Sequence, residues 1–324
     1  MSKTKDAVEA QLELTLKETN FAGMGELYRG KVRDVYRQGD RLIMVTTDRV
    51  SAFDHVLGTI PFKGQILNAM ALDAFQATQD ILPNHVLDVP DPNVVVAKVC
   101  RAYPVELIVR GYITGSLWRD YMAGTAGAYG VPLPSGLKRD QAFDAPILTP
   151  TTKAAIGTHD EPISARQIVA QGLLTKEQLA QASEAAFALY ARGREKAASR
   201  GLILVDTKYE LGEDADGNLT VIDEIHTPDS SRYWMADEYE ARFEAGEAQA
   251  MLDKENLRGW LIERHGFSGH GAPPHLDDEI RVTLARRYME AYRLMVGAEF
   301  VPEAGDVSAR LAANLKKAGL LAEG

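Results

Sequence analysis

Apolar positions along the chain change period several times, and each change marks an element. Residues 6–18 carry apolar side chains at helical spacing and predict a short amphipathic helix. Tyr28 to Tyr36 and Arg41 to Thr46 are two β-compatible runs, and the intervening Arg37-Gln38-Gly39-Asp40 predicts a hairpin. Val94 to Cys100 and Val105 to Val109 continue the strand pattern. Tyr103-Pro104 interrupts it, because proline cannot donate to a β-ladder, so a link between lobes is expected near 101–104. From Val131 to Pro162, proline, threonine and glycine dominate and periodicity fades, which predicts a long functional or disordered loop.

Helical spacing resumes at Thr175-Lys176-Glu177-Gln178, the spacing of a capping box. Leu179, Ala182, Ala186, Leu189 and Gly193 then define one face of a helix ending near Arg200. Two strands follow, Leu202 to Glu210 and Leu219 to Ile225, joined through Asp214-Ala215-Asp216-Gly217-Asn218. The remainder reads as helical at about 236–264 and 277–297 and after Val307, with a Pro- and Gly-rich break at 266–274. No fixed-period repeat is visible. The expected class is α+β in two lobes, with helices at both ends.

Composition narrows the function. At 324 residues the chain suits about two domains. Its 36 basic and 46 acidic side chains leave a net charge of −10, which argues against a nucleic-acid partner, since phosphate-backbone binding needs a positive face. An anionic ligand must therefore meet a local basic cluster. Cys100 is the single cysteine, which excludes an intramolecular disulfide and multi-cysteine metal sites. No apolar run of membrane-spanning length occurs, and the residues after Met1 form an amphipathic stretch rather than a signal core, so no membrane partner and a cytoplasmic location are expected.

The most informative stretch is Leu202-Ile203-Leu204-Val205-Asp206-Thr207-Lys208-Tyr209-Glu210. In a strand, Asp206, Lys208 and Glu210 share a face directly after a buried-type apolar run, a costly place for charge. With Asp216-Gly217 as a two-residue turn, Glu210 lies opposite Asp223 (index sum 210 + 223 = 433). Facing carboxylates repel unless a cation lies between them, and Mg²⁺ accepts one or two carboxylates plus waters and nucleotide phosphates. An exposed acidic hairpin with solvated carboxylates is the alternative. The order of residues in the turn does not fit a calcium loop.

Other segments concentrate basic and polar groups. Gly30-Lys31-Val32-Arg33-Asp34 could place Lys31 and Arg33 on phosphate oxygens, although it is not a Walker A loop, and Gly23 and Gly25 complete no dinucleotide fingerprint. Alone, it reads better as a solvated basic hairpin edge. Arg110 and Ser116, flanking Gly111-Tyr112-Ile113-Thr114-Gly115, could reach one anion, or form a turn with the arginine on carbonyls. Asp229-Ser230-Ser231-Arg232 offers a phosphate seat or a plain helix N-cap. Lys254 and Arg258 lie four apart on one helix face, which is also the pattern of a solvated face. His265, His270 and His275 lack the company of a zinc site, and neither Gly-x-Ser-x-Gly nor His-Glu-x-x-His occurs.

Taken together, these segments resemble the phosphoribosylaminoimidazole-succinocarboxamide synthase (SAICAR synthetase) family from about Tyr28 to Leu261. The matches come in the family's order. They are Gly30-Lys31-Val32-Arg33-Asp34-Val35-Tyr36, Asp48-Arg49-Val50-Ser51-Ala52-Phe53-Asp54, and Val109-Arg110-Gly111-Tyr112 through Gly115-Ser116. Thr152-Lys153-Ala154 with His159-Asp160-Glu161 follows, then Val205-Asp206-Thr207-Lys208-Tyr209-Glu210. Ile222-Asp223-Glu224 through Asp229-Ser230-Ser231-Arg232, and Asp253-Lys254 with Leu257-Arg258, complete the series.

The resemblance implies a SAICAR synthase-like fold. A β-rich N-terminal nucleotide-binding lobe (1–103) would join a larger α+β lobe (104–324) that binds substrates and metal and carries the C-terminal helices, reminiscent of kinases and ATP-grasp enzymes, with ATP between the lobes. It implies that ATP, L-aspartate and carboxyaminoimidazole ribonucleotide (CAIR) give SAICAR, ADP and phosphate, through an acyl phosphate or an equivalent activated carboxylate. Lys31, Arg33 and Lys153 would contact ATP phosphates, and Glu210 and Asp223 would hold Mg²⁺. The segment around Arg101 to Tyr103 would flank the adenine through its backbone. Arg110, Ser116, Asp206, Asp229, Ser230, Ser231, Arg232, Lys254 and Arg258 resemble the ribonucleotide set. Lys208 would neutralise transferring phosphate charge, with Asp206 beside it at the catalytic centre, and Ser51, Asp54, His159 and Asp160 would surround the substrates. The chain resembles the longer form of the family, for which monomer and homo-oligomer are both compatible, and has no room for a second catalytic module. A kinase-like phosphotransferase and a silent nucleotide-binding module are the rival classes.

Overall fold

The computed structural model describes residues 7–53, 55–153, 160–252 and 255–322. In chain order, the first elements are β1 (Glu26–Arg29), β2 (Arg33–Gln38), β3 (Arg41–Thr46), β4 (Arg49–Ala52), β5 (His55–Thr59), α1 (Lys63–Thr78), β6 (Val86–Asp91) and β7 (Val94–Lys98). Then come β8 (Arg101–Ala102), β9 (Val105–Tyr112), α2 (Gly115–Ala123), β10 (Ala142–Leu148), β11 (Thr151–Thr152), α3 (Ala165–Ala170) and α4 (Lys176–Ala198). The chain continues with β12 (Leu202–Tyr209), β13 (Leu211–Glu213), β14 (Leu219–Val221) and β15 (Ser231–Met235). It closes with α5 (Tyr239–Ala245), α6 (Glu255–His265), α7 (Asp278–Val296) and α8 (Val307–Lys317). Among the described residues no helix is long and apolar enough to cross a membrane.

Packing divides the chain into two compact units, Met1–Asp73 with His85–Val99 and Lys254–Gly324, and Ala74–Asn84 with Cys100–Asp253. The cut after Val99 lies close to the Tyr103-Pro104 link. The C-terminal helices group with the N-terminal sheet rather than with the lobe that starts at 104, and the reason is apolar burial. In the first unit the antiparallel sheet β1-β2-β3-β7-β6 presents Tyr36, Ile43, Val45, Val94 and Val96 to a core that α8 closes with Val307, Leu311 and Leu315. Those three positions are four apart, one stripe of a helix. Asp306 caps α8 by accepting from Ala309 N at 3.0 Å, and Arg310 binds the buried Asp91 at 3.0 Å. Asp48 joins the first unit's loops to α1, accepting from Leu16 N at 2.7 Å and Gly64 N at 2.9 Å.

In the second unit, β10-β9-β12-β15 form one antiparallel sheet, with β11 also on β9, and β14-β13-β8 form a small one. The capping box at Thr175 and Gln178 is present, and Leu179, Ala182, Ala186, Leu189 and Gly193 are all buried. Gly193 permits close approach: a Cβ there would lie 2.7 Å from Leu204 and 2.8 Å from His226. His226 itself adopts φ +59°, with its ring nitrogen 2.7 Å from the Tyr209 hydroxyl and its carbonyl accepting from the Tyr233 hydroxyl at 2.9 Å.

Several expectations need correction. The run Tyr28 to Tyr36 is two strands, because Gly30-Lys31-Val32 turns the chain back on itself, with Arg29 pairing Asp34. The presumed loop 131–162 contains β10 and β11. The helical stretch 236–264 is broken into α5 and α6, since Met251 bridges to Trp234. The early helix is interrupted at Gln11 and its last turn, Leu12–Leu14, is 3₁₀; its start at residue 6 lies outside the described residues.

Burial, and to a smaller degree the charge of Lys196, drives His226 down to about 3 from its ordinary 6.5. A depressed folded-state value means that unfolding takes up a proton below about pH 6.5, so stability present above that pH is lost progressively toward pH 3. His226→Asn, which tolerates positive φ, should flatten the acid limb by up to about 1.4 kcal/mol per pH unit over that window. Urea unfolding from pH 7 to 3.5 checks this; parallel curves for the two proteins would contradict it.

Candidate functional site

Strand register builds the centre of the second unit. Asp206 on β12 pairs with Arg110 on β9 and with Arg232 on β15, so three neighbouring strands place Arg, Asp and Arg side by side on one sheet face. One oxygen, Asp206 Oδ2, accepts from Arg110 Nη1 at 2.9 Å and from Arg232 Nη1 at 2.6 Å. Arg110 also donates through Nε to Thr149 Oγ1 (2.8 Å) and through Nη2 to Ser116 Oγ (3.2 Å). Arg110 and Asp206 are almost wholly buried. Burial draws Arg110 below its ordinary value and Asp206 opposes that shift. Gly115 makes the packing possible: it adopts φ +56°, and a Cβ there would lie 2.6–2.9 Å from the Arg232 guanidinium. Two guanidinium groups share one carboxylate oxygen here, and such forks favour phosphate or carboxylate oxygens.

Two residues along the same face of β12, Lys208 projects among three carboxylates. Its Nζ contacts Glu106 Oε1 at 3.2 Å, Asp223 Oδ2 at 3.6 Å and Glu210 Oε1 more closely. Lys153 Nζ binds the other oxygen of Glu210. Burial opposes the charge on Lys208, but Glu210, Asp223 and Glu106 together outweigh it and hold its pKa well above the usual lysine range. Glu106 is raised, first by burial, then by Glu210 and Asp160, while Lys208 pulls it down. Asp160 thus lies within electrostatic reach of Glu106.

Glu210 and Asp223 converge on Lys208, but not in the expected register. Leu211 pairs with Val221, an index sum of 211 + 221 = 432, and Ile222 N donates to Glu210 O at 3.1 Å. Asp223 is therefore one position past Glu210's partner. The cause is the turn: Asp214 and Asn218 flank three residues, with Gly217 at φ +81° and the Asp214 carboxylate accepting from Asp216 N and Asn218 N. This loop has the αL glycine typical of three-residue hairpins.

The Thr227–Arg232 segment is not a helix N-terminus, since β15 begins at Ser231. Thr227 Oγ1 instead gathers the segment, accepting from Asp229 N and Ser230 N at 3.3 Å while donating to Glu224 at 2.8 Å. Ser231 bonds Thr207 at 2.7 Å and shares its face, the one opposite Arg232. Lys31, Arg33 and Ser51 belong to the first unit, Lys31 at the tip of the β1–β2 hairpin, Arg33 at the start of β2 and Ser51 on β4. Asp54, His159 and Lys254 lie outside the described residues, as does the side chain of Arg258 on α6.

Sequence reasoning passed over Glu106, Thr149 and Asp140. Glu106 carried a signal, a charge inside the apolar strand Val105 to Val109, and the register 206 + 110 = 316 puts it level with Glu210. Asp140 adopts φ +64°, and one oxygen of its buried carboxyl lacks a hydrogen-bond partner among the described residues. Burial raises its pKa, while Thr114, Arg139 and Arg232 lower it. Among the described residues no group of three or more His, Cys, Asp and Glu side chains is arranged as a metal cage.

A sequence model of the SAICAR synthetase family matches residues 26–270. The phosphoribosylaminoimidazole-succinocarboxamide synthase of Bacteroides fragilis is 50% identical over 307 residues, covering 93% of this chain and 97% of that protein. The protein of the same name from Legionella pneumophila is 47% identical over the same shares. The solved SAICAR synthase of Saccharomyces cerevisiae, complexed with SAICAR, superposes with a TM-score of 0.78 at 31% identity, covering 89% of this chain and all of that one. With the motifs in order, the matching α+β fold and relatives aligned over nearly their whole length, the chain belongs to the SAICAR synthetase family.

Proposed function

We propose that this chain performs its family's reaction: ATP-dependent ligation of L-aspartate to the carboxylate of CAIR, giving SAICAR, ADP and phosphate in de novo purine biosynthesis. The observation that carries the reading is the charge pattern along one face of β12. The Arg110–Asp206–Arg232 triad, with its two guanidinium forks, stands beside Lys208 and its carboxylates. The first suits the ribonucleotide phosphate, and the second suits a polyphosphate with its cation. The yeast relative was solved with SAICAR, the reaction's product. A cytoplasmic location belongs to the same reading.

A carboxylate is a poor acyl donor, so the CAIR carboxylate oxygen first attacks the γ-phosphorus of ATP and ADP departs. The aspartate amine then attacks the acyl carbon of this acyl phosphate, phosphate leaves, and the amine proton passes to solvent or a nearby carboxylate. In this scheme Arg110, Ser116 and Arg232 hold the ribonucleotide with Asp229 and Ser230, and Ser231 anchors their segment through Thr207. Asp206 aligns the two guanidinium groups at the catalytic centre. Lys31, Arg33 and Lys153 meet ATP phosphates. Ser51, Asp54, His159, Asp160, Lys254 and Arg258 complete the substrate surroundings.

Glu210, Asp223 and Glu106 favour the charged form of Lys208, and an ammonium there suits stabilising the transferring phosphoryl charge rather than moving a proton. Glu210 and Asp223 fit Mg²⁺, a hard cation that takes one or two carboxylates and fills its shell with water and phosphate oxygens. Bound there, Mg²⁺ would neutralise phosphate charge. Lys153 and Lys208 occupy those carboxylates in this structure and would compensate the same charge on the polyphosphate.

Two variants test the assignments. Asp223→Asn should keep the fold and lower kcat at least about 100-fold at low Mg²⁺, the scale of a lost electrostatic contact to the transition state; near-normal turnover in a Mg²⁺ titration would remove Asp223 from the metal set. Arg232→Ala should raise the KM for CAIR by about 10- to 100-fold, the worth of a charge-assisted hydrogen bond, with the KM for ATP little changed. An unchanged KM for CAIR would count against the triad as its anion seat.

A further inference from the structure

Arg49 has no part in the reaction scheme above, yet it donates to two carbonyls of the Lys31 hairpin and to the carboxylate of Asp34. It is buried, at 7% exposure. Nη2 donates to Gly30 O at 3.0 Å and to Asp34 Oδ1 at 2.8 Å, Nε donates to Lys31 O at 3.0 Å, and Nη1 donates to Lys17 O at 2.6 Å. Two residues earlier, Thr47 supplies both its hydroxyl (2.8 Å) and its amide (3.0 Å) to Val32 O. The carbonyls of three consecutive residues, Gly30, Lys31 and Val32, are thus all held by the segment Thr47–Arg49. Asp34 completes the frame: wholly buried, it accepts from Arg49 and, through its other oxygen, from Thr19 N at 2.6 Å and Thr19 Oγ1 at 3.0 Å.

The physical consequence concerns the sign of the field at the hairpin tip. A carbonyl aimed at a polyphosphate sets the negative end of a dipole against negative charge. A tight three-residue turn has no interior to hide three carbonyls, so their orientation needs an external cation or donor. Arg49 and Thr47 provide it, drawing the carbonyls to the inner side. A lysine could not replace the guanidinium, because a single ammonium point charge cannot span four acceptors held in a fixed fork.

The geometry points to Arg49 as the positioning residue of the nucleotide hairpin, which sets the backbone from which Lys31 and Arg33 meet the phosphates of ATP. This rests on the proposed role of that hairpin, and Thr47 acts with Arg49 in it.

The test compares Arg49→Lys, Arg49→Ala, Thr47→Val and Lys31→Gln in the full-length enzyme. Readouts are the KM values for ATP and CAIR, equilibrium ATP binding, and amide hydrogen exchange across residues 29–34. Lys31→Gln should raise the KM for ATP alone. Arg49→Lys should raise it by about tenfold or more, the scale of one lost charge-assisted hydrogen bond, with faster exchange in the turn and an unchanged KM for CAIR. Millimolar guanidinium should restore ATP affinity to Arg49→Ala, which a general loss of stability would not allow. If Lys31→Gln raises the KM for ATP and Arg49→Lys does not, Arg49 has no positioning role. If Lys31→Gln leaves ATP affinity unchanged, the hairpin reading falls and takes this inference with it. Should both Arg49 variants fail to fold, Thr47→Val decides: a rise of about two- to threefold for ATP alone, a fraction of one neutral hydrogen bond, supports the frame, and no change overturns it.

Discussion

Two guanidinium groups on one buried carboxylate oxygen are the constraint around which the second unit is arranged. A buried charge is costly unless it is paired and its remaining hydrogen bonds are satisfied. Asp206 meets that demand only because β9, β12 and β15 are neighbours in a register that sets Arg110 and Arg232 on either side of it. Thr149 and Ser116 then take the other donors of Arg110, and Gly115 clears the space that the Arg232 fork fills. Asp206 offsets one of the two positive charges, and the Asp140 carboxyl also lies within electrostatic reach of Arg232. In the proposed reading, this pair of guanidinium groups is the local basic cluster that an anionic substrate needs in a chain of net charge −10.

The same strand carries the opposite arrangement two residues on. Around Lys208, carboxylates outnumber ammonium groups: Glu106, Glu210 and Asp223 face Lys208 and Lys153. In the proposed reading, the guanidinium pair and the acid-rich cluster along one face of a strand serve the two needs of an ATP-driven ligation, a held phosphoester and a charge-compensated polyphosphate. The first unit has its own buried ion pair. Arg49 and Asp34 neutralise one another in the interior, and the surplus donors of Arg49 set the carbonyls of the hairpin turn.

Much of this was legible in the sequence where the determining contacts are short-range. The Thr175 capping box and the α4 stripe depend on residues three or four apart, and Asp206, Lys208 and Glu210 on simple alternation. Legibility ended where distant segments decide. The Glu210–Asp223 register slipped by one because Gly217 in αL makes a three-residue loop of the turn. Strand β10 hid inside an apparent loop because Pro146 and an irregular register suit only a sheet edge, where it lies. Glu106 becomes part of the Lys208 cluster only through the β9–β12 register. The role of Arg49 needs Gly30, Lys31 and Lys17, all more than a dozen residues away. A helix after Val307 is expected, but nothing local says that its partner is the N-terminal sheet.

The most direct measurement of the central claim is ADP release from Mg-ATP with L-aspartate and CAIR, repeated with each component omitted and with the succinocarboxamide product followed in parallel. The account predicts turnover that needs all three and yields SAICAR and ADP in equal amounts. ADP formed equally well without aspartate would reveal a phosphotransferase or an uncoupled ATPase, and no ADP under any condition a nucleotide-binding module without chemistry; either result would contradict the account.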